Sequence, residues 1–192
     1  EARLKYCGDR NVGIDGVLEN VDIYARIGYR KYYQNSRYLF TAGDSPTRHR
    51  HIHSINEADV AVLNRYDRQC FPAPRKAFLD MWILQDDALS LAYIEDGTLK
   101  GYMVRRRCHE GHKIGPLFAD NRTIAEQLLL ASQEGVHGET LIIDIPDTNA
   151  AAVELVQRYD MELIFATARM YQKGLPKLAY NKIFGITTFE LG

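Results

Sequence analysis

The stretch from His112 to Gln133 combines an interrupted strand with the start of a helix, two places where backbone groups can bind a ligand. Ile114–Ala119 is an apolar run that contains Gly115-Pro116. Because proline lacks the N–H that a strand donates to its neighbour, this dipeptide predicts a bulge. A bulge leaves backbone N–H and C=O groups available to a ligand. Asp120–Thr123 then supplies residues typical of a helix start.

Together, the bulge and the helix start suit an elongated ligand that carries phosphate. The first N–H groups of a helix have no partner within it, and the positive end of the helix dipole attracts anions. We therefore expect an acyl-pantetheine chain along Ile114–Ala119 and a pyrophosphate at the N–H groups of Asn121–Ile124.

The elements around this stretch predict an α/β protein with a mixed central sheet and helices on both faces. A helix opens near Ser54 or Asn56, and a second places Pro74 in its first turn. Asp96-Gly97 is a strong hairpin signal. The predicted strands are Ala88–Glu95, Thr98–Arg106, Leu141–Ile145, Leu163–Tyr171 and Ile183–Leu191, with a helix over Asn149–Tyr159.

Composition narrows the class of partner. The chain has 192 residues, with 46% hydrophobic and 26% charged residues, which is typical of one globular domain or slightly more. The net charge of −1 offers no basic surplus for binding nucleic acid or an anionic membrane, and no apolar run is long enough to span a membrane.

Three dispersed cysteines without metal spacing favour a reducing, cytoplasmic location. We interpret the alternating His49, His51 and His53 as a solvated strand, so no metal is expected.

The sequence resembles a known family through the strand with Ile-Gly-Pro-Leu at 114–117, its loop and helix, the strand Leu141–Ile145 and the helix from Asn149. This order is similar to the core of GNAT N-acetyltransferases, closest to the carboxyl-terminal domain of two-domain bacterial proteins of the YitH type. The resemblance covers His51–Gly192, with a weaker echo over Arg10–Phe40. It implies a GNAT fold, acetyl-CoA as cosubstrate and transfer of an acetyl group to the primary amine of a small molecule.

Residues 1–45 repeat the order of elements found near the end of the chain. A strand at Asn11–Asp15, a helical pattern over Val17–Ile27 and a tyrosine-rich strand over Tyr29–Phe40 follow one another. Ile14-Asp15 aligns with Ile143-Asp144, and Arg37-Tyr38 can be set against Arg169-Met170 with an offset of three residues between the two pairs. We interpret residues 1–45 as the strand–helix–strand remnant of a first GNAT repeat and residues 46–192 as a GNAT-like domain. The alternative is a coincidence between two ordinary units.

An isolated strand–helix–strand unit needs a sheet to cover its apolar faces and its open edge. We therefore expect Arg30–Phe40 to pair with or pack on the sheet of residues 88–191, or on its counterpart in a homodimer.

The resemblance implies three groups of site residues. In the first, Ile23-Tyr24 matches a family pair whose tyrosine protonates the leaving thiolate, whereas the second repeat has Leu155-Val156 and valine cannot donate a proton. Tyr24 is therefore a catalytic candidate. Two further catalytic candidates are Tyr171, as a proton donor from a neighbouring strand, and Asp144, as a carboxylate that binds the amine. Candidates for cofactor binding are Ile114, Gly115, Leu117, Ala119, Asn121, Arg122, Thr123 and Asn149. Candidates for the acceptor side are Asp67, Arg75, Trp82, Arg105 and Arg169.

Each group also has a structural interpretation. Asn149 is a good helix cap, Tyr171 suits a core, and the charged residues suit ion pairs. At the level of function, the rival is a catalytically inactive GNAT-like module that binds a ligand or completes a partner domain. The loop Ala119–Thr123, which lacks glycine, and Val156 favour the rival; the Ile-Gly-Pro-Leu strand and Asn149 favour the enzyme.

Overall fold

The computed structural model describes residues 6–44 and 47–191, and within them the chain forms a nine-stranded mixed sheet. The strands are β1 (Gly13–Val17), β2 (Arg30–Thr41), β3 (Ile52–Ser54), β4 (Ala88–Glu95), β5 (Thr98–Arg107), β6 (His112–Ala119), β7 (Thr140–Pro146), β8 (Glu162–Tyr171) and β9 (Ile183–Gly185). The α-helices are α1 (Val21–Arg26), α2 (Val60–Cys70), α3 (Lys76–Trp82), α4 (Arg122–Ala131) and α5 (Ala150–Arg158).

The strands lie in the order β1-β8-β2-β7-β6-β5-β4-β3, with β9 attached to β6. The β6–β7 pair is parallel and the other pairs are antiparallel. Apolar residues of α4 and α5 pack on one face, and those of α2 and α3 pack on the other. The structure thus confirms the predicted α/β fold with helices on both faces.

Three helices start later in the chain than the sequence pattern suggested. Ser54 and Asn56 belong to a short 3-10 turn, and α2 begins only after Asp59, whose Oδ1 accepts a hydrogen bond from the Val62 N–H at 2.9 Å. Helix α3 starts at Lys76, so Pro74 lies ahead of its first turn. The predicted helix from Val17 starts as a 3-10 turn and becomes α1 at Val21. No helix in the described parts of the chain is both long and apolar enough to cross a bilayer.

The tyrosine-rich strand β2 lies inside the sheet, between β7 and β8, while β1 pairs with the other side of β8. This confirms that Arg30–Phe40 pairs with the sheet of residues 88–191. The register is symmetric about the pair Asn35–Thr167: Asp15 lies opposite Arg169, and Asp144 opposite Arg37. The two sequence pairs aligned above therefore occupy equivalent positions about a local two-fold axis.

The last predicted strand is shorter than Ile183–Leu191. Only Ile183–Gly185 forms a strand, because the chain crosses from one neighbour to another at this point. Leu117 and Phe118 of β6 pair with Gly185 and Ile183, whereas the next residue, Ile186, donates its N–H to the Asp144 carbonyl of β7 at 2.9 Å. A segment that changes partner after three residues cannot continue a ladder with either strand.

Candidate active site

The predicted bulge is present, and it lies where β6 and β7 separate. Met103 of β5 pairs with Leu117 and Arg105 pairs with Ile114, so Gly115-Pro116 together face Val104. The parallel pairing of β6 with β7 ends at Ile114 and Ile143. Beyond these residues the two strands leave an opening in the sheet.

The chain's own residues 181–189, hereafter the C-terminal segment, fill this opening. Besides the pairing of β9 and the hydrogen bond of Ile186, the segment lies directly on the bulge: a Cβ added to Gly115 would come within 2.6 Å of the Ile186 carbonyl oxygen. The candidate cofactor-binding residues on β6 are completely buried: Ile114, Gly115, Leu117 and Ala119. The backbone expected to bind an acyl-pantetheine chain is thus covered by the chain itself, and a cofactor role for these residues stays a prediction.

Asn149 contacts the same segment. Its Oδ1 accepts a hydrogen bond from the Ala151 N–H at 3.2 Å, which confirms it as the cap of α5. Its Nδ2 donates to the backbone carbonyls of Ile183 at 3.0 Å and Asn181 at 3.3 Å. The side chain therefore caps a helix and binds an extended chain in the opening at once.

The start of α4 is exposed. Asn121 accepts a hydrogen bond from the Ile124 N–H at 3.1 Å, Arg122 pairs with Glu154 at 2.6 Å, and Thr123 faces solvent. Asp120 accepts a hydrogen bond from the Tyr66 hydroxyl at 2.8 Å and pairs with Lys182 at 3.0 Å. Pyrophosphate binding by Asn121, Arg122 and Thr123 remains a prediction.

Asp144 is the centre of a buried ion cluster under the C-terminal segment. Its carboxylate accepts hydrogen bonds from Arg37 Nε at 2.7 Å and Nη2 at 3.0 Å, and Lys113 Nζ forms an ion pair with it. The Phe189 ring covers Arg37, with its centroid 4.5 Å from the guanidinium carbon. Burial lowers the pKa of Lys113, and Asp144 opposes that shift. Both carboxylate oxygens are engaged by cations, so Asp144 neutralises the buried Lys113 and the half-buried Arg37.

The acceptor-side candidates on α2 and α3 meet at the same place. Arg75 donates to Asp67 through Nε at 2.9 Å and Nη2 at 2.7 Å, and its Nη1 donates to the Thr187 hydroxyl of the C-terminal segment at 2.8 Å. Trp82 Nε1 donates to the Gly115 carbonyl at 2.9 Å. Asp67, Arg75 and Trp82 therefore lie on the predicted side, where they contact the bulge and the segment.

Arg105 requires a correction. It was expected to approach the opening, but its Nη1 donates to the carbonyls of Ser132 at 2.6 Å and Glu134 at 2.7 Å, just beyond the end of α4. Burial lowers the pKa of Arg105, with Glu134 and Glu139 opposing the shift. This side chain stabilises the end of a helix and does not join the other candidates.

Arg169 and Tyr171 lie in a second buried polar cluster, on β8 beside β1. Arg169 forms an ion pair with Asp15 and donates through Nε to the Tyr171 hydroxyl at 2.9 Å. Asp15 also accepts hydrogen bonds from Asn35 Nδ2 at 2.6 Å and the Thr167 hydroxyl at 3.1 Å. Burial alone lowers the pKa of Arg169, but Asp15 and Tyr171 raise it above its usual value overall.

Tyr24 lies at the same end of the sheet but on the opposite face. A Cβ added to Gly16, the neighbour of Asp15, would come within 2.7 Å of the Tyr24 ring. Successive residues of a strand point to opposite faces, so Asp15 and Tyr24 flank β1. The structure therefore separates the candidates: Asp144, Asp67, Arg75 and Trp82 lie at the filled opening, whereas Tyr171 and Arg169 lie on one face beside β1 and Tyr24 lies on the other face.

Sequence reasoning missed Lys113, the pairing roles of Asp15 and Arg37, and the position of the C-terminal segment. The alignment of Asp15 with Asp144 and of Arg37 with Arg169 held the signal for the ion pairs. In the described ranges no three residues with metal-binding side chains cluster together. His49 instead stacks on Tyr93, and His51 and His53 lie near Glu95 and Glu57.

Comparison with known proteins identifies the fold and the family. Residues 63–185, more than half of the chain, match the family described as "Acetyltransferase (GNAT) domain". Holothin acyltransferase from Pseudoalteromonas sp. (strain SANK 73390) is 25% identical over 190 residues, covering 98% of this chain but only 65% of that protein.

Solved structures share the fold. A candidate acetyltransferase from Pyrococcus horikoshii matches all of this chain and 64% of its own with a TM-score of 0.80 and 23% identity. A GCN5-related N-acetyltransferase from Sphaerobacter thermophilus matches 86% of this chain and 61% of its own, with a TM-score of 0.60 and 16% identity. With its mixed sheet, the separated β6 and β7 and the matched family region, the chain belongs to the GNAT acetyltransferase family.

Proposed function

We propose that this chain is part of an acetyl-CoA-dependent N-acetyltransferase that modifies the primary amine of a small molecule. The observation that carries the proposal is the match of residues 63–185 to the GNAT acetyltransferase family, in a chain whose unit β1–α1 repeats the register of β7–α5. In such a transfer, positioning of donor and acceptor supplies most of the rate. The acyltransferase that aligns with nearly the whole chain supports the same reaction class.

We further propose that residues 1–45 end a first GNAT repeat, as in tandem proteins of the YitH type, whose earlier part precedes these 192 residues. The symmetric registers of β1 and β8 and of β7 and β2 support two related units. The chain also spans only 65% of its acyltransferase relative, a difference in length that accommodates such a part. In this arrangement β2 of the first unit lies between β7 and β8 of the second, and β8 of the second unit lies between β1 and β2 of the first.

Tyr24 is the proposed proton donor. The neutral amine attacks the thioester carbonyl, a C–N bond forms, the C–S bond breaks, and the leaving thiolate takes the hydroxyl proton of Tyr24, while the proton lost by the nitrogen returns to the tyrosinate through water. The equivalent position in residues 46–192 is Val156, which is 2% exposed in the core and carries no proton to give.

A second candidate function has specific support. The filled opening and Val156 favour a non-catalytic role for residues 46–192, in which this unit completes the sheet of a catalytic first unit. The two proposals differ in the location of catalysis and agree on the reaction of the whole protein.

The test uses the protein at its full length. We expect acetyl-CoA-dependent acetylation of a member of a primary-amine panel, and a Tyr24→Phe variant with kcat lowered by about 100-fold. The KM for acetyl-CoA should change little. Tyr29→Phe, which removes the hydroxyl of a neighbouring buried tyrosine, is the matched control. Absence of both acetyl-CoA binding and transfer would refute the proposal, and an unchanged kcat in Tyr24→Phe would move the proton donor elsewhere.

A further inference from the structure

We infer that the C-terminal segment permanently replaces the acyl-CoA arm in the opening between β6 and β7, so that the protein binds acyl-CoA once, beside β1. The inference rests on the proposed function for its statement about β1. The statement about the opening rests on contacts within residues 47–191 alone.

The segment makes backbone hydrogen bonds of the kind that an amide-containing arm would make. On one side it pairs with Leu117 and Phe118 of β6, and on the other the Ile186 N–H donates to the Asp144 carbonyl of β7. Both walls of the opening are therefore bridged by one extended chain. The backbone polar groups of these two walls are therefore already hydrogen-bonded to the segment and are not available to an added ligand.

Side chains around the opening also bind the segment. Asn149 donates to the carbonyls of Asn181 and Ile183, and Arg75, fixed by Asp67, donates to the Thr187 hydroxyl. The Asn149 amide was expected to face a cofactor arm, and Arg75 to face an acceptor. In this structure Asn149 instead binds backbone carbonyls of the C-terminal segment, and Arg75 binds a hydroxyl of the same segment.

The apolar side chains of the segment are part of the core. The exposed fractions of Ile183, Phe184, Ile186 and Phe189 are 4%, 1%, 5% and 9%. Lifting them out would expose four large side chains and the walls they cover, at a free-energy cost comparable to that of unfolding an ordinary domain. A ligand that displaced the segment would bind more weakly by that free energy, so we infer a permanent filling and not a displaceable plug.

Little space remains beside the segment. The cavity between Phe118, Ile183 and Ile186 on one side and Tyr33, Arg169 and Tyr171 of β2 and β8 has a volume of about 20 Å³, close to that of one water molecule. An acyl-pantetheine arm cannot share the opening with residues 181–189.

The two-fold register indicates where an unfilled counterpart lies. Strand β1 occupies the position equivalent to β7, and its outer edge carries no partner strand within residues 6–44 and 47–191. Helix α1 follows β1 as α5 follows β7, and it carries Tyr24 where α5 carries Val156. An opening formed beside β1 would therefore have the proton donor that the filled opening lacks.

A reversible disulfide tests the filling directly. A Cβ built on Gly185 lies 3.2 Å from the Leu117 Cβ, close to the ~3.8 Å typical of disulfides, so Leu117→Cys/Gly185→Cys can lock the segment to β6. In the full protein we expect kcat/KM for acetyl-CoA to differ less than about twofold between the oxidised and reduced variant. Loss of turnover on oxidation, restored by reductant, would overturn the inference. Leu117→Cys alone, treated with the same oxidant, controls for the native cysteines.

Calorimetric stoichiometry of the unmodified full protein separates this inference from the proposed function, and it needs no variant to fold. One equivalent of acetyl-CoA per chain supports both. Two equivalents would overturn the single site and leave the reaction class intact. No binding at all would overturn the proposed function and the site beside β1 together.

Discussion

The two buried ion pairs of the sheet, Asp144–Arg37 and Asp15–Arg169, occupy equivalent positions in the register but have different surroundings. At Asp144 a second cation, Lys113, joins the pair, and the C-terminal segment covers it with Phe189. At Asp15 the additional partners are neutral groups of Asn35 and Thr167, with Tyr171 bonded to Arg169. The comparison teaches that one strand pattern is used on both sides of the local two-fold axis, at a filled end (β7 and β2) and a β1 end (β1 and β8), and that the two ends differ in the residues that cover them.

The largest effect is expected at the filled end. Asp144→Asn removes the carboxylate that pairs with both Arg37 and Lys113, and it leaves the buried Lys113 and the half-buried Arg37 with only the more distant charge of Glu190. We expect the free energy of unfolding in urea to fall by about 3–5 kcal/mol. The exposed Asp86→Asn is the control, and an equal effect of the two substitutions would contradict the ion cluster described here.

The corresponding substitution at the β1 end should lower the free energy of unfolding by a smaller amount. Asp15→Asn leaves one cation, Arg169, without its carboxylate, but Arg169 keeps its hydrogen bond to the Tyr171 hydroxyl. We therefore expect the free energy of unfolding to fall by about 1.5–3 kcal/mol in the same urea experiment. If Asp15→Asn proved more destabilising than Asp144→Asn, the difference drawn between the two ends would be wrong.

Substitutions at two glycines test how tightly the two ends are covered. An added Cβ at Gly115 meets backbone carbonyls of the C-terminal segment, whereas one at Gly16 meets the ring of Tyr24. Backbone in a packed opening moves less readily than a side chain, so Gly115→Ala should destabilise by about 1–3 kcal/mol and Gly16→Ala by less. Thermal unfolding of the two variants measures the order, and the reverse order would argue for a loosely held segment.

The smallest effect concerns pH at the filled end. Burial alone raises the pKa of Glu190, but the Thr188 hydroxyl, the backbone, Lys113 and Arg37 lower it overall. A carboxyl with a lowered folded pKa stabilises the protein above its unfolded pKa, near 4.3, and loses that contribution as pH falls through the folded value. Glu190→Gln should therefore lower the urea midpoint at pH 7, with the difference shrinking below pH ~4. A difference independent of pH would exclude this contribution.

Much of the fold could be predicted because its signals are local. The bulge at Gly115-Pro116, the hairpin at Asp96-Gly97 and the cap at Asn149 each depend on a few adjacent residues. The repeat pattern also led to the pairing of β2, although the division of the chain at residue 45 stays a prediction.

The occupancy of the opening could not be predicted in this way. The Ile-Phe-Gly-Ile run at 183–186 is apolar and reads as an ordinary last strand, and nothing local says that it changes partners between β6 and β7. Arg105 shows the same limit. Its position on β5 suggested the cleft, but the carbonyls that it binds come from the end of α4, some thirty residues further along the chain.

The most direct test of the central claim is amide hydrogen exchange of residues 183–188 in the 192-residue chain, with and without millimolar acetyl-CoA. Our account predicts slow exchange at the Ile186 N–H, which donates to Asp144, and no change on adding acetyl-CoA, since the segment stays in the opening. Rapid exchange in the free chain, or loss of protection when acetyl-CoA is added, would contradict the claim that these residues permanently fill the opening.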